Sequence, residues 1–128
     1  MTSNFGQQGP ETAAKKLIGK MMIYGNTHAK ILEAEGYPPM KKKRGVYHAI
    51  LRMKPGDVYV PEFRNSLLLI IVVNGGRILI RSVEVGGAVV KGPGRVTKAL
   101  GMTQTRARGS AHWIGGDTFE VRFSNNLK

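Results

Sequence analysis

The 128-residue chain contains no cysteine. Disulfides, thiolate zinc sites and a cysteine nucleophile are excluded, and the absence fits an intracellular, cytoplasmic setting. Acidic residues are the next scarcity: Asp and Glu total 8 against 20 Lys and Arg, for a net charge of +12. So dense a positive field attracts polyanions and is wasted on a neutral substrate. Long apolar runs are also missing. The strongest, Leu67 to Val73, is far shorter than the about 20 residues a membrane-spanning helix needs, and reads instead as a buried strand. No amphipathic basic helix is evident, so no membrane partner is expected. Met1 to Gly9 is uncharged with no apolar run behind it, which speaks against a signal peptide. The three histidines, His28, His48 and His112, have no ligand spacing with one another or with carboxylates, so no metal is expected. Neither a G-x-G-x-x-G fingerprint nor a Walker lysine motif is present, and no cofactor is expected.

What is present is enough apolar material for one core. Hydrophobic residues make up 41% of the chain, which excludes a disordered basic tail, and the length suits a single domain over residues 11–128 behind a flexible arm, residues 1–10. Glu11 to Lys20 reads as a short helix with Leu17 and Ile18 turned inward. Met21 to Tyr24 and His28 to Glu35 read as strands around a Gly25-Asn26 turn. Gly36 to Gly45 reads as a solvated loop, Val46 to Arg52 as a helical turn, and Asp57 to Val60 as a short strand after Pro55-Gly56. Leu67 to Asn74 and Arg77 to Val85 form a hairpin across Gly75-Gly76. Its first strand is apolar on both faces and therefore central, while Arg77, Arg81 and Glu84 give the second a polar face. A helix from Arg95 to Leu100 lies between Pro93 and Gly101, the order expected of helix ends. Thr103 to Ser110 reads as a basic loop, and His112 to Ile114 and Thr118 to Phe123 as strands. The expected class is α+β: a mostly antiparallel sheet with two short helices.

The basic residues are unevenly placed, sixteen of the 20 lying from Lys41 onward. Lys41, Lys42, Lys43 and Arg44 form one cluster; Lys91, Arg95, Lys98, Arg106 and Arg108 form another, with no acid between its first and last members. A surface that is merely soluble intersperses acids, so this pattern points to a phosphate-binding face. Gly92-Pro93-Gly94 adds bare backbone at a helix start, where Gly92 and Gly94 leave N–H groups open to an anion. Among the aromatic residues only Tyr37 has a suggestive setting, next to a proline-rich loop and two residues from Glu35.

In order, these segments resemble the methylpurine (3-methyladenine, alkyladenine-type) DNA glycosylase family. The resemblance rests on Ala13 to Lys20 as its opening helix, Ile31 to Tyr37 as its Glu-x-Tyr strand, and Met53 to Val60 as its Pro-Gly-x-x-Tyr-Val segment. Ile78 to Glu84 is similar to its Leu-Ile-Arg strand, and Gly92 to Gly101 is the nearest match, to Gly-Pro-Gly-Lys-Leu-x-x-Ala-Leu-Gly. The resemblance spans roughly Thr12 to Gly116 and implies a glycosylase-like fold, akin to formyltransferase C-terminal domains. The family flips a damaged purine out of the duplex and hydrolyses its glycosidic bond. It would make Glu35 the carboxylate that activates water, Tyr37 an aromatic that stacks on the flipped base, and Arg81 an arginine beside that site.

The sequence departs from that pattern where the family grips the base. Pro61 stands at a pocket tyrosine and Arg64 at the tyrosine that wedges into the helix, leaving Phe63 as the nearest aromatic for stacking. The family's histidine after Glu-x-Tyr has no counterpart, and its segment after the Trp-Ile strand is missing. Two readings follow. The preferred one is a pared-down scaffold kept for binding, with RNA favoured over DNA and neighbouring proteins as further partners, in a ribosome or another large ribonucleoprotein. In it Arg64 binds a phosphate or lies on a base. The alternative is a minimal active glycosylase of base-excision repair with Glu35 as general base.

Overall fold

The computed structural model describes residue 5 and residues 8–38 and 53–124. Lys41, Lys42, Lys43 and Arg44, and the helical turn expected at Val46 to Arg52, lie outside the described residues. Helix α1 spans Pro10–Leu17, with Pro10 in its first turn and Ala13, Ala14 and Leu17 buried. It is shorter than expected. Gly19 takes φ +91° and donates its N–H to Ile31 O at 2.8 Å, which turns the chain into the sheet. Ile18, expected inside, is 47% exposed for the same reason.

Strands β1 (Met21–Tyr24) and β2 (Thr27–Tyr37) form the first hairpin. β3 (Asp57–Val60) follows the Pro55-Gly56 turn, where Gly56 has the positive φ that a turn of this kind places after proline. The apolar stretch from Leu67 is not one strand. β4 (Glu62–Phe63) and β5 (Ser66–Leu67) make a separate two-stranded hairpin, and only Ile70–Val73 (β6) enters the main sheet. The cause is the Arg64-Asn65 turn, with φ 52° and 66°, the left-handed pair that a tight two-residue hairpin requires. β7 (Gly76–Val85) pairs with β6 as expected and continues into β8 (Ala88–Lys91), a strand that no pattern in the sequence marks. Helix α2 covers Pro93–Ala99. The basic loop expected over Thr103 to Ser110 is a correction: Arg106–Trp113 is one strand, β9, paired on one edge with β3 and on the other with β10 (Thr118–Phe123). Partners on both edges satisfy its backbone, which overrides the polar composition.

The sheet closes on itself. The order β2-β1-β10-β9-β3-β6-β7 returns to β2 through the β2–β7 pairing, giving a seven-stranded barrel with, among the described residues, two helices and β8 as an extension beside β7. All neighbours are antiparallel except β1 and β10. Closure leaves those seven strands no free edge along their paired lengths. The interior holds Met22, Ile31, Val58, Ile71, Ile80 and Phe119, all 0% exposed. Phe5 joins this core. It lies in the arm expected to be flexible, yet is 5% exposed and stacks on Trp113 with centroids 5.1 Å apart. Among the described residues no helix is long and apolar enough to cross a membrane.

One irregularity positions the site. Between Ile31 and Ala34 the β2–β7 register shifts, so inward positions change parity: Ala29 and Ile31 point inward before it, Ala34 and Gly36 after it. β7 changes at the same place, from Val83 to Ile80. A one-residue change of parity sends the next side chains to the opposite face. Glu35, Tyr37 and Arg81 thereby stand together outside the barrel.

Candidate nucleic-acid interface

Three of the residues singled out in the sequence converge. Glu35 Oε1 accepts a hydrogen bond from the Tyr37 hydroxyl at 2.9 Å and pairs with the Arg81 guanidinium at 3.4 Å. The side chains of Arg81 and Glu35 are 41% and 50% exposed, so the ion pair contributes at most about 1 kcal/mol and acts by orienting the two groups. Burial, and then the neighbouring Glu35, push the Tyr37 hydroxyl above the usual phenol range.

Beside this cluster the barrel carries a second apolar patch on its outer face: Tyr59, Ile70, Val72 and Leu79, with Tyr37 and Leu68 against it. It floors an open groove of about 530 Å³ whose walls include Tyr37, Tyr59, Pro61, Phe63, Arg77 and Arg81. Burial pushes Tyr59 up to about 12, which keeps it a neutral phenol. Arg77 was not among the sequence candidates. It lies over the Tyr37 ring, 5.4 Å from the centroid, and donates to Pro38 O at 2.8 Å. Its alternation with Arg81 on β7 was the available signal. Glu35 is not among the residues lining the groove, and its Oε1 is held by Arg81 and Tyr37.

The β4–β5 hairpin bounds the groove on one side. Phe63 is 56% exposed there, with the Arg64 guanidinium 5.1 Å above its ring. Along the other side of the hairpin runs a polar cleft of about 770 Å³, lined among others by Ser66, Lys91, Arg95, Lys98 and Gln104. Glu62 is the one acidic residue among those lining either depression. Gly92 and Gly94 border the cleft, each with a structural reason to be glycine. Gly92 has φ +108°, and a Cβ on Gly94 would stand 2.7 Å from Ser66 Oγ. That close approach seats α2 on the hairpin, and the buried Thr97 hydroxyl secures it, its one proton shared between the carbonyls of Leu67 and Gly94, each at 3.0 Å.

Among the described residues no carboxylate pairs with Lys91, Arg95, Lys98 or Arg108. Arg106 is engaged differently from the rest of its cluster. Its guanidinium covers the Phe123 ring at 4.8 Å and donates to Ser124 O at 3.3 Å, so it is partly structural. The described residues contain no group of three or more side chains able to hold a metal ion. This arrangement can take a planar, apolar group against two tyrosines and, across the hairpin, anionic groups against three cations. Comparison with models of known protein families gives no match, and comparison with curated proteins gives no significant match.

Proposed function

We propose that this chain is a nucleic-acid-binding protein that takes unpaired RNA across the β4–β5 hairpin. The observation that carries the reading is the pairing of two unlike depressions on one hairpin: a tyrosine-lined groove for a base and a basic cleft for the adjoining phosphates. Recognition of unpaired RNA uses these two elements, since aromatic stacking is available to any splayed base and cations track the backbone. Phe63 at the hairpin offers a further stacking surface, and Arg64 can lie on a base or meet a phosphate. The reading extends the family resemblance to a methylpurine-glycosylase-like barrel kept for binding, as a cytoplasmic, non-catalytic component of a ribosome or similar ribonucleoprotein with protein neighbours. Two features favour binding over catalysis. Glu35 does not line the groove and its Oε1 is already engaged by Arg81 and Tyr37, and Pro61 stands where a second clamping ring would be. General-base help, typically worth about 10²–10⁴-fold, acts only on a base held at the correct distance.

One observation favours the glycosylase reading: Glu35, Tyr37 and Arg81 do meet at the rim of an apolar groove. Two measurements separate the readings. Single-stranded RNA should bind with an affinity that falls as salt rises, the log–log slope being about −0.7 per phosphate neutralised. Glu35→Gln should leave that affinity unchanged, and single-turnover abasic-site formation on alkylated duplex DNA should be absent in both proteins. A salt-independent affinity would reject the polyanion reading. Excision lost on Glu35→Gln would install the glycosylase.

A further inference from the structure

The cleft beside α2 does not stand alone. Its lining ends at Gln104 and Thr105, and β9 begins with the next residue, Arg106. Ala107 and Arg108 already line another groove, of about 830 Å³, on the outer face of β3, β9 and β10. Thr105 and Ala107 are two residues apart, at most about 7 Å of extended chain, so the two openings adjoin. In the second groove the register sets Asp57, Ser110 and Arg122 in one row across three strands. Lys54 enters from the turn before β3, and Arg108 projects from β9 two positions before Ser110. The acids here are occupied. Asp57 Oδ2 accepts the Lys54 backbone N–H at 2.9 Å, and Glu120 lies 3.1 Å from Arg122. Among the described residues no carboxylate pairs with the side chains of Lys54 or Arg108.

We propose that the bound strand continues from the α2 cleft along the start of β9 into this second groove, where Lys54, Arg108 and Arg122 take its backbone phosphates. This rests on the nucleic-acid reading and extends its footprint. Three features argue for one continuous strand over a separate small anion. The first groove ends one residue before β9 and the second begins within it, no acid interrupts the sequence between Lys91 and Arg108, and the second groove is open rather than a closed phosphate cup.

The test compares oligouridylates of about 4 and about 12 nucleotides, the span of site sizes known for single barrels that bind single strands. The full chain is titrated beside a Lys54→Ala/Arg108→Ala double variant. Both side chains belong to exposed residues, and thermal melting checks that the variant folds. The longer probe should bind the native protein more tightly than the short one, and the double variant should lose that gain while binding the short probe normally. With two phosphates no longer neutralised, the salt slope for the long probe should become shallower by about 1.4, so a fourfold rise in salt weakens the native complex about sevenfold more than the variant complex. Equal affinities and slopes for both proteins, with the short probe still bound, would overturn the extension and leave the parent reading intact. Failure of the native protein to bind either probe would overturn both.

Discussion

Replacing Phe5 by alanine isolates the packing of its ring on the barrel. The ring is 5% exposed, stacked on Trp113 at 5.1 Å and edge-on to Phe119 at 5.2 Å. Burying a phenylalanine of this kind removes roughly 150–250 Å² from water. At about 25 cal/mol per Å², that area is worth about 4–6 kcal/mol. An unfolded chain that already hides some of it lowers the figure to about 3–5 kcal/mol. Ordering the chain that carries the ring costs about 1–2 kcal/mol for each residue fixed. Fixing Phe5 itself takes about 1–2 kcal/mol of that gain, so the loss on substitution should be about 2 kcal/mol. With a urea m value of about 2 kcal/mol/M, the unfolding midpoint should fall by about 1 M. Trp113 is the sole tryptophan of the chain, so native-state fluorescence reads the same event directly. Its emission should shift toward that of a hydrated indole in Phe5→Ala, with Phe5→Leu falling between. An unchanged midpoint together with unchanged Trp113 emission would refute the packing of Phe5 on the barrel.

Gly76→Ala should destabilise the barrel at its β2–β7 seam, since the added Cβ would run into Tyr37 O and lie 2.8 Å from Pro10 Cγ. The expected cost is about 1–3 kcal/mol in urea unfolding, whereas Gly115→Ala, with nothing within 4 Å and no positive φ, should be neutral. The buried Tyr59, held up to about 12, makes stability depend on pH in one direction. Below pH of about 10, Tyr59 is protonated in both the folded and unfolded chains and adds no dependence. Above it the unfolded chain releases the proton and the folded one keeps it, so stability falls by roughly 2 kcal/mol by pH 12. Tyr59→Phe removes this contribution. Urea unfolding at about pH 9 and about pH 11.5 should therefore show a smaller loss for the variant, and equal losses would refute the assignment.

Positions governed by local chemistry were readable from residue order alone. Met21–Tyr24, Asp57–Val60 and Thr118–Phe123 are strands where alternation and turn residues place them, and α2 stops before Gly101 as helix-end preferences dictate, although it starts at Pro93, two residues ahead of the expected Arg95. The split of the Leu67 to Asn74 run was hidden, because it depends on Arg64 and Asn65 taking left-handed conformations that neither residue type demands. β9 was hidden because Arg106 to Gly109 is too polar to look like a strand; only β3 and β10 on its two edges make it one.

The same division runs through the candidate site. The sequence by itself determined the excess of cations and the presence of Glu35, Tyr37 and Arg81, because charge and residue type do not depend on folding. Their meeting point was decided only by tertiary structure. The shared irregularity of β2 and β7 changes which side chains face inward, and so brings a carboxylate, a phenol and a guanidinium to one spot on the outer wall. Closure of the barrel likewise made the outer patch of Tyr59, Ile70 and Leu79 into a groove, since those residues are far apart in sequence and adjacent only across paired strands. The arm follows the same logic. Among the described residues, the burial of Phe5 involves two rings more than a hundred residues away, which are near it only once the barrel has formed.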